Sequence, residues 1–157
     1  MSTYDLLLKG GRVIDPAQGL DAPADVAFAG GRVAAVGRDL PAADAARAID
    51  VAGKLVMPGL IDLHTHVYAG VSNIGIEADH DCLFKGTTTV VDAGSAGAHT
   101  LAGLRNYVVN HSRARILAFL NISSIGIPVD DIDMGELGWL ALVNVDAAVK
   151  AAGENPD

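Results

Sequence analysis

Between Tyr4 and Val56 the apolar residues come in short runs separated by glycine, proline and acidic residues. Tyr4 to Lys9 and Arg12 to Ile14 flank Gly10-Gly11, and Asp25 to Ala29 and Arg32 to Gly37 flank Gly30-Gly31. Runs of this length read as strands, and both glycine pairs suit two-residue hairpin turns that require positive φ. The tetrapeptide Gly-Gly-Arg-Val recurs at 10–13 and 30–33, which points to a repeated hairpin rather than a solenoid. Asp15-Pro16 and Ala22-Pro23 are expected to mark loops, and 40–47 a loop or short helical turn. Ala48 to Val51 and Lys54 to Val56 are expected to be extended.

After Pro58 the pattern changes. Strand-like runs at Leu60 to His66, Thr87 to Asp92 and Arg115 to Ile122 alternate with helical stretches near Ile76 to Lys85, Thr100 to Asn110 and Val145 to Ala152. Gly86 and Gly153 are placed as helix C-caps. The strand runs are apolar or β-branched on both faces, as strands buried on two sides are. Such alternation predicts a parallel α/β architecture, barrel or doubly wound. The stretch 123–135, with Gly126, Pro128 and Asp130-Asp131, reads as a long loop after the third strand.

Composition sharpens this. Half of the 157 residues are hydrophobic and only 4% aromatic, which suits close-packed parallel strands better than an aromatic-rich sandwich. Nineteen acidic against eleven basic residues give a formal charge of −8, which argues against nucleic-acid or anionic-membrane surfaces. Cys82 is the single cysteine, so no intrachain disulfide framework exists. No apolar run approaches the ~20 residues of a membrane span, and the expectation is a cytoplasmic enzyme with a small-molecule substrate and a homo-oligomeric assembly.

The candidate chemistry lies in Met57-Pro58-Gly59-Leu60-Ile61-Asp62-Leu63-His64-Thr65-His66. On a strand rising about 3.3 Å per residue, His64 and His66 share a face roughly 6–7 Å apart and can lean onto one ion. The alternative is a pair of core histidines satisfied by backbone carbonyls. Pro58-Gly59 and the apolar run around the pair favour the metal reading. Asp62 shares the histidine face and is a candidate to hold a ring N–H.

This frame, followed by Gly86-Thr87-Thr88-Thr89-Val90-Val91-Asp92, resembles the amidohydrolase superfamily. Tyr4 to Gly11, Asp15-Pro16, Gly94-Ser95-Ala96-Gly97-Ala98 and Ala118 to Gly126 are similar to its deacetylase branch, often labelled dihydroorotase-like. The resemblance implies a small β-sandwich segment over 1–56 and the first three βα units of a (β/α)8 TIM-type barrel over 57–157. It implies that His64 and His66 ligate zinc or another divalent metal, with two ions in a complete enzyme. A bridging lysine, two further histidines and a proton-shuttling aspartate are implied from later strands. Lys9, Lys54, Lys85 and Lys150 are poorly placed to supply that lysine. A complete barrel takes about 250 residues, so the chain reads as the N-terminal portion of a longer enzyme.

Other residues carry weaker signals. Asp92 is expected to bond a nearby backbone N–H rather than face a pocket. Ser95 and His99, in the loop after the second strand, are candidate substrate contacts. An ordinary turn serves equally well for Ser95, and a surface role better for His99. His80 fits a solvated face, His111 a helix C-terminus, and Cys82 packing. Neither a Gly-x-Ser-x-Gly elbow nor a P-loop is present. The implied activity is hydrolysis of an amide or ester acyl bond by a metal-activated hydroxide. Cyclic amide hydrolysis of the dihydroorotase or hydantoinase kind is one alternative, and a non-catalytic module is another. The 157 residues alone are expected to be inactive.

Overall fold

The structure, a computed structural model, describes residues 2–128 and 138–156, which form two compact units, Met1–Pro58 and Gly59–Asp157. The described chain is mixed α/β, with one sheet in each unit.

In the first unit β1 (Leu6–Asp15) lies antiparallel to β2 (Leu20–Ala29), which pairs antiparallel with β3 (Arg32–Gly37). The short strands β4 (Ala48–Asp50) and β5 (Leu55–Val56) both run parallel to β1. Gly30-Gly31 forms the expected two-residue turn, at φ 57° and 73°. Gly10-Gly11 does not: β1 runs straight through it. Leu8 faces Val26 and Gly11 faces Ala24, so β1 carries one residue more than its partner, a β-bulge with Gly10 at φ 76°. Gly11 is a matter of space, since a Cβ there would lie 2.8 Å from Val56 Cγ2. Ala22-Pro23, expected in a loop, is inside β2. Pro23 is tolerated because β3 pairs only with Asp25–Ala29, so no ladder bond is lost on that side. Val13, Ala24 and Val26 form the core here, with Leu8, Leu20, Phe28 and Val56 packed against them.

In the second unit β6 (Leu60–Thr65), β7 (Thr87–Gly97) and β8 (Arg115–Asn121) are parallel, with β7 central. The crossover from β7 to β8 carries α1 (Leu101–Tyr107), and α2 (Val145–Glu154) follows β8. The helix expected near Ile76 to Lys85 shrinks to a π turn, Ala78–Cys82, and a 3₁₀ turn, Leu83–Lys85. Its aspartates bond backbone elsewhere. Asp81 accepts the Glu77 N–H, and Asp79 accepts those of Arg113 and Ala114. Gly86 caps this segment at φ 94°, whereas Gly153 lies inside α2, whose last carbonyls are met by Asn155. Of the loop expected over 123–135, Asp130-Asp131 fall outside the described residues.

Two-sided burial holds for β7 alone. Val90, Val91, Asp92 and Ala96 are buried, while Ile61 and Leu63 of β6 are 63% and 68% exposed and Phe119 of β8 is also exposed. Among the described residues each outer strand has one neighbour in the sheet. The unit's core gathers Val67, Ala78, Cys82, Val90, Ala114 and Ile116. Burial pushes the Cys82 thiol pKa up, and neighbouring Asp62 and Asp81 add to this, which suits packing rather than reactivity.

Candidate metal centre

The site forms where β6 and β7 both depart from regular pairing. Asp62 faces Val90 and Thr65 faces Asp92, so the Leu63-His64 segment contains one residue too many for the ladder. Asp62 Oδ1 accepts the His64 backbone N–H at 3.0 Å, and Thr65 Oγ1 donates to Val91 O at 3.1 Å. Bulges commonly re-aim side chains beside sites. Asp62 thus engages the backbone of His64 rather than a ring nitrogen.

His64 is exposed and His66 half-buried, just beyond the last residue of β6. Their ring centroids stand 5.5 Å apart at an interplanar angle of 71°. An imidazole nitrogen lies about 2.0–2.1 Å from a bound zinc, which puts each ring centre about 3.2 Å from the ion. Two such rings subtending a near-tetrahedral angle have centres about 5–5.5 Å apart, so the observed spacing fits a shared ion. Two imidazoles fill half of a four-coordinate shell. Among the described residues no three His, Cys, Asp or Glu side chains gather into a fuller set.

The sequence Asp92-Ala93-Gly94-Ser95 supplies what lies beneath His66. Between Ala93, facing Phe119, and Gly97, facing Asn121, β7 makes an excursion from β8, with Gly94 at φ 93°. Asp92 is fully buried and closes that excursion. Its Oδ1 accepts the N–H of Ser95 at 2.7 Å and of Gly94 at 3.1 Å. Its Oδ2 accepts the N–H of Val67 at 2.8 Å, the residue after His66. The excursion brings Ser95 Oγ to 3.0 Å from His66 Nδ1. Gly97 is needed because a Cβ there would overlap the Ser123 carbonyl.

Ser95 therefore sits within β7, not in a loop, and is buried against His66. The signal for this was an Asx-turn pattern, Asp followed two and three residues later by Gly and Ser, which reads equally well as an ordinary turn. His99 is exposed in the turn before α1, its backbone N–H bonded to Ser124 O. His80 is exposed and pairs with Asp81, and His111 lies in a 3₁₀ turn after α1. No described helix is long and apolar enough to cross a membrane.

No protein-family model matches the chain. It is 38% identical over 127 residues to a deacetylase of Agrobacterium fabrum, covering 81% of this chain and 31% of that protein. It is 34% identical over 131 residues to a dihydroorotase of Citrifermentans bemidjiense, covering 78% and 29% respectively. Among solved structures, a dihydroorotase superposes with a TM-score of 0.80 at 32% identity, covering 96% of this chain and 40% of that one. An adenine deaminase gives 0.78 at 30% identity, covering 98% and 39%. An N-acyl-D-glutamate deacylase of Bordetella bronchiseptica, solved with zinc and a phosphonate inhibitor, gives 0.56 at 25% identity, covering 77% and 30%. The chain thus spans less than a third of the length of the two curated relatives.

Proposed function

We propose, from the chain's homology with deacetylases and dihydroorotases of the amidohydrolase superfamily, that it carries part of the metal centre of a hydrolase acting on an amide or ester acyl bond of a small molecule. In this reading β6, β7 and β8 are the first three strands of a (β/α)8 barrel, and the first unit belongs to a flanking β-sandwich. The single observation that carries it is the His64–His66 ring pair, spaced for one divalent ion. The deacylase solved with zinc supports zinc as that ion, and the reading includes a second ion in a complete active site. A divalent ion held there would polarise a carbonyl oxygen and lower the pKa of water. The chain's own contribution is to hold His64 and His66 in place, through the Asp62-stabilised bulge and the Asp92-anchored excursion. The reading extends to a cytoplasmic protein, with homo-oligomerisation open to test by sedimentation.

The test is hydrolysis by the full-length protein of N-acetyl amino acids and of dihydroorotate, side by side. Loss of an ion worth several kcal/mol of transition-state stabilisation predicts about a thousandfold lower turnover in His64→Ala and in His66→Ala. Unchanged turnover in either contradicts the reading. A cyclic amide as substrate is the second reading, favoured by the dihydroorotase superposition. Preference for dihydroorotate over the acetylated amino acids would select it.

A further inference from the structure

We infer that Ser95 is the positioning residue for His66: its Oγ accepts the Nδ1–H of the imidazole, which fixes the tautomer with Nε2 bare and aimed at the ion. This rests on the metal-centre reading above and adds to it a residue whose hydroxyl contacts the ring of His66. The hydroxyl is 3.0 Å from Nδ1, and Ser95 is 1% exposed, so bulk water does not compete for the contact. A ring nitrogen can take a cation only if it carries no proton, and in a neutral imidazole the other nitrogen then carries it. Ligating histidines donate that second N–H to a fixed oxygen, which sets ring orientation and tautomer together.

The backbone of Ser95 is held on both sides. Asp92 accepts the N–H of Ser95 with one carboxylate oxygen and the N–H of Val67 with the other. One buried carboxylate therefore sets both the serine and the backbone adjoining His66. The Ile127 N–H, donating to Ser95 O at 3.2 Å, holds the same residue from the loop after β8. The ring and its acceptor are thereby positioned by a common anchor.

The measurement is made on the metal-free, full-length protein with ring-15N-labelled histidine, the His66 signal being the one lost in His66→Ala. The expected result is a proton on Nδ1 and a bare Nε2 in the wild type, with that preference lost in Ser95→Ala. Zinc affinity, measured by competition with a chromophoric chelator, is expected to fall about tenfold or more in Ser95→Ala. A wild-type His66 protonated on Nε2, with the hydroxyl donating instead, overturns the inference. So does a Ser95→Ala protein with unchanged tautomer and unchanged zinc affinity. If His66→Ala loses zinc while Ser95→Ala does not, Ser95 alone is misassigned. If His66→Ala keeps zinc affinity unchanged, the metal-centre reading itself fails.

Discussion

Among the described residues each unit has one buried aspartate beside an irregularity in its strands, and the two are satisfied differently. Asp25 in the first unit, 5% exposed, accepts the Gly10 N–H at the bulge, the Leu40 N–H and the Lys9 ammonium. Asp92 in the second unit, fully buried, accepts three bonds that all come from backbone N–H groups. The first arrangement neutralises the carboxylate with a cation and only shapes a sheet. The second draws its donors from the backbone alone and ties Gly94 and Ser95 of β7 to Val67, the residue after His66.

That contrast is broken most directly by Asp92→Ala. It strands three buried donors, each costing about 1–3 kcal/mol, so a loss of about 3 kcal/mol or more is expected in urea unfolding. Asp25→Ala unpairs the N–H groups of the exposed Gly10 and the half-buried Leu40, while Lys9, whose side chain is 35% exposed, keeps its bond to Leu40 O. About 2 kcal/mol is expected. The reverse order of the two variants would show that the lysine matters more than the backbone bonds. Alanine at Gly94 and at Gly10, the positive-φ glycines beside these two aspartates, costs about 1–2 kcal/mol each. Gly94→Ala should exceed Gly10→Ala, because its Cβ meets Asn121 Nδ2 at 3.2 Å whereas that of Gly10 meets Ala52 Cβ at an ordinary 3.8 Å. Equal losses would remove that steric difference.

The smallest effect is on pH dependence. Burial works against the Asp25 charge, but the bonds from Lys9, Gly10 and Leu40 outweigh it and hold the carboxyl pKa below its ordinary value. A lowered folded-state pKa means stability that is fully present above the unfolded pKa near 3.9 and lost as pH falls through the folded value. The stability gap between wild type and Asp25→Asn should therefore be constant above about pH 5 and shrink below pH 4. A gap that widens on acidification contradicts this assignment.

Gly30-Gly31 was legible as a turn because alternating runs of equal weight flank it. Gly10-Gly11 looks identical in sequence, but there the strand continues through a bulge whose Gly10 N–H is received by the carboxylate of Asp25 across the sheet. The three parallel strands were legible from their apolar runs. The extension of β7 to Gly97 was not, since Gly94, Ser95 and Gly97 read as loop residues until Asp92 and the Ser123–Gly126 segment pack around them. The histidine pair was legible from spacing. The bulge that re-aims it and the serine beneath His66 depend on contacts between strands more than twenty residues apart, which local pattern does not carry.

Anomalous diffraction from zinc-loaded crystals of the full-length protein tests whether His64 and His66 hold one ion. The expected result is a zinc peak about 2.0–2.1 Å from a ring nitrogen of each histidine. Zinc bound elsewhere, with the two imidazoles hydrogen-bonded to backbone or packed against apolar side chains, would contradict the account.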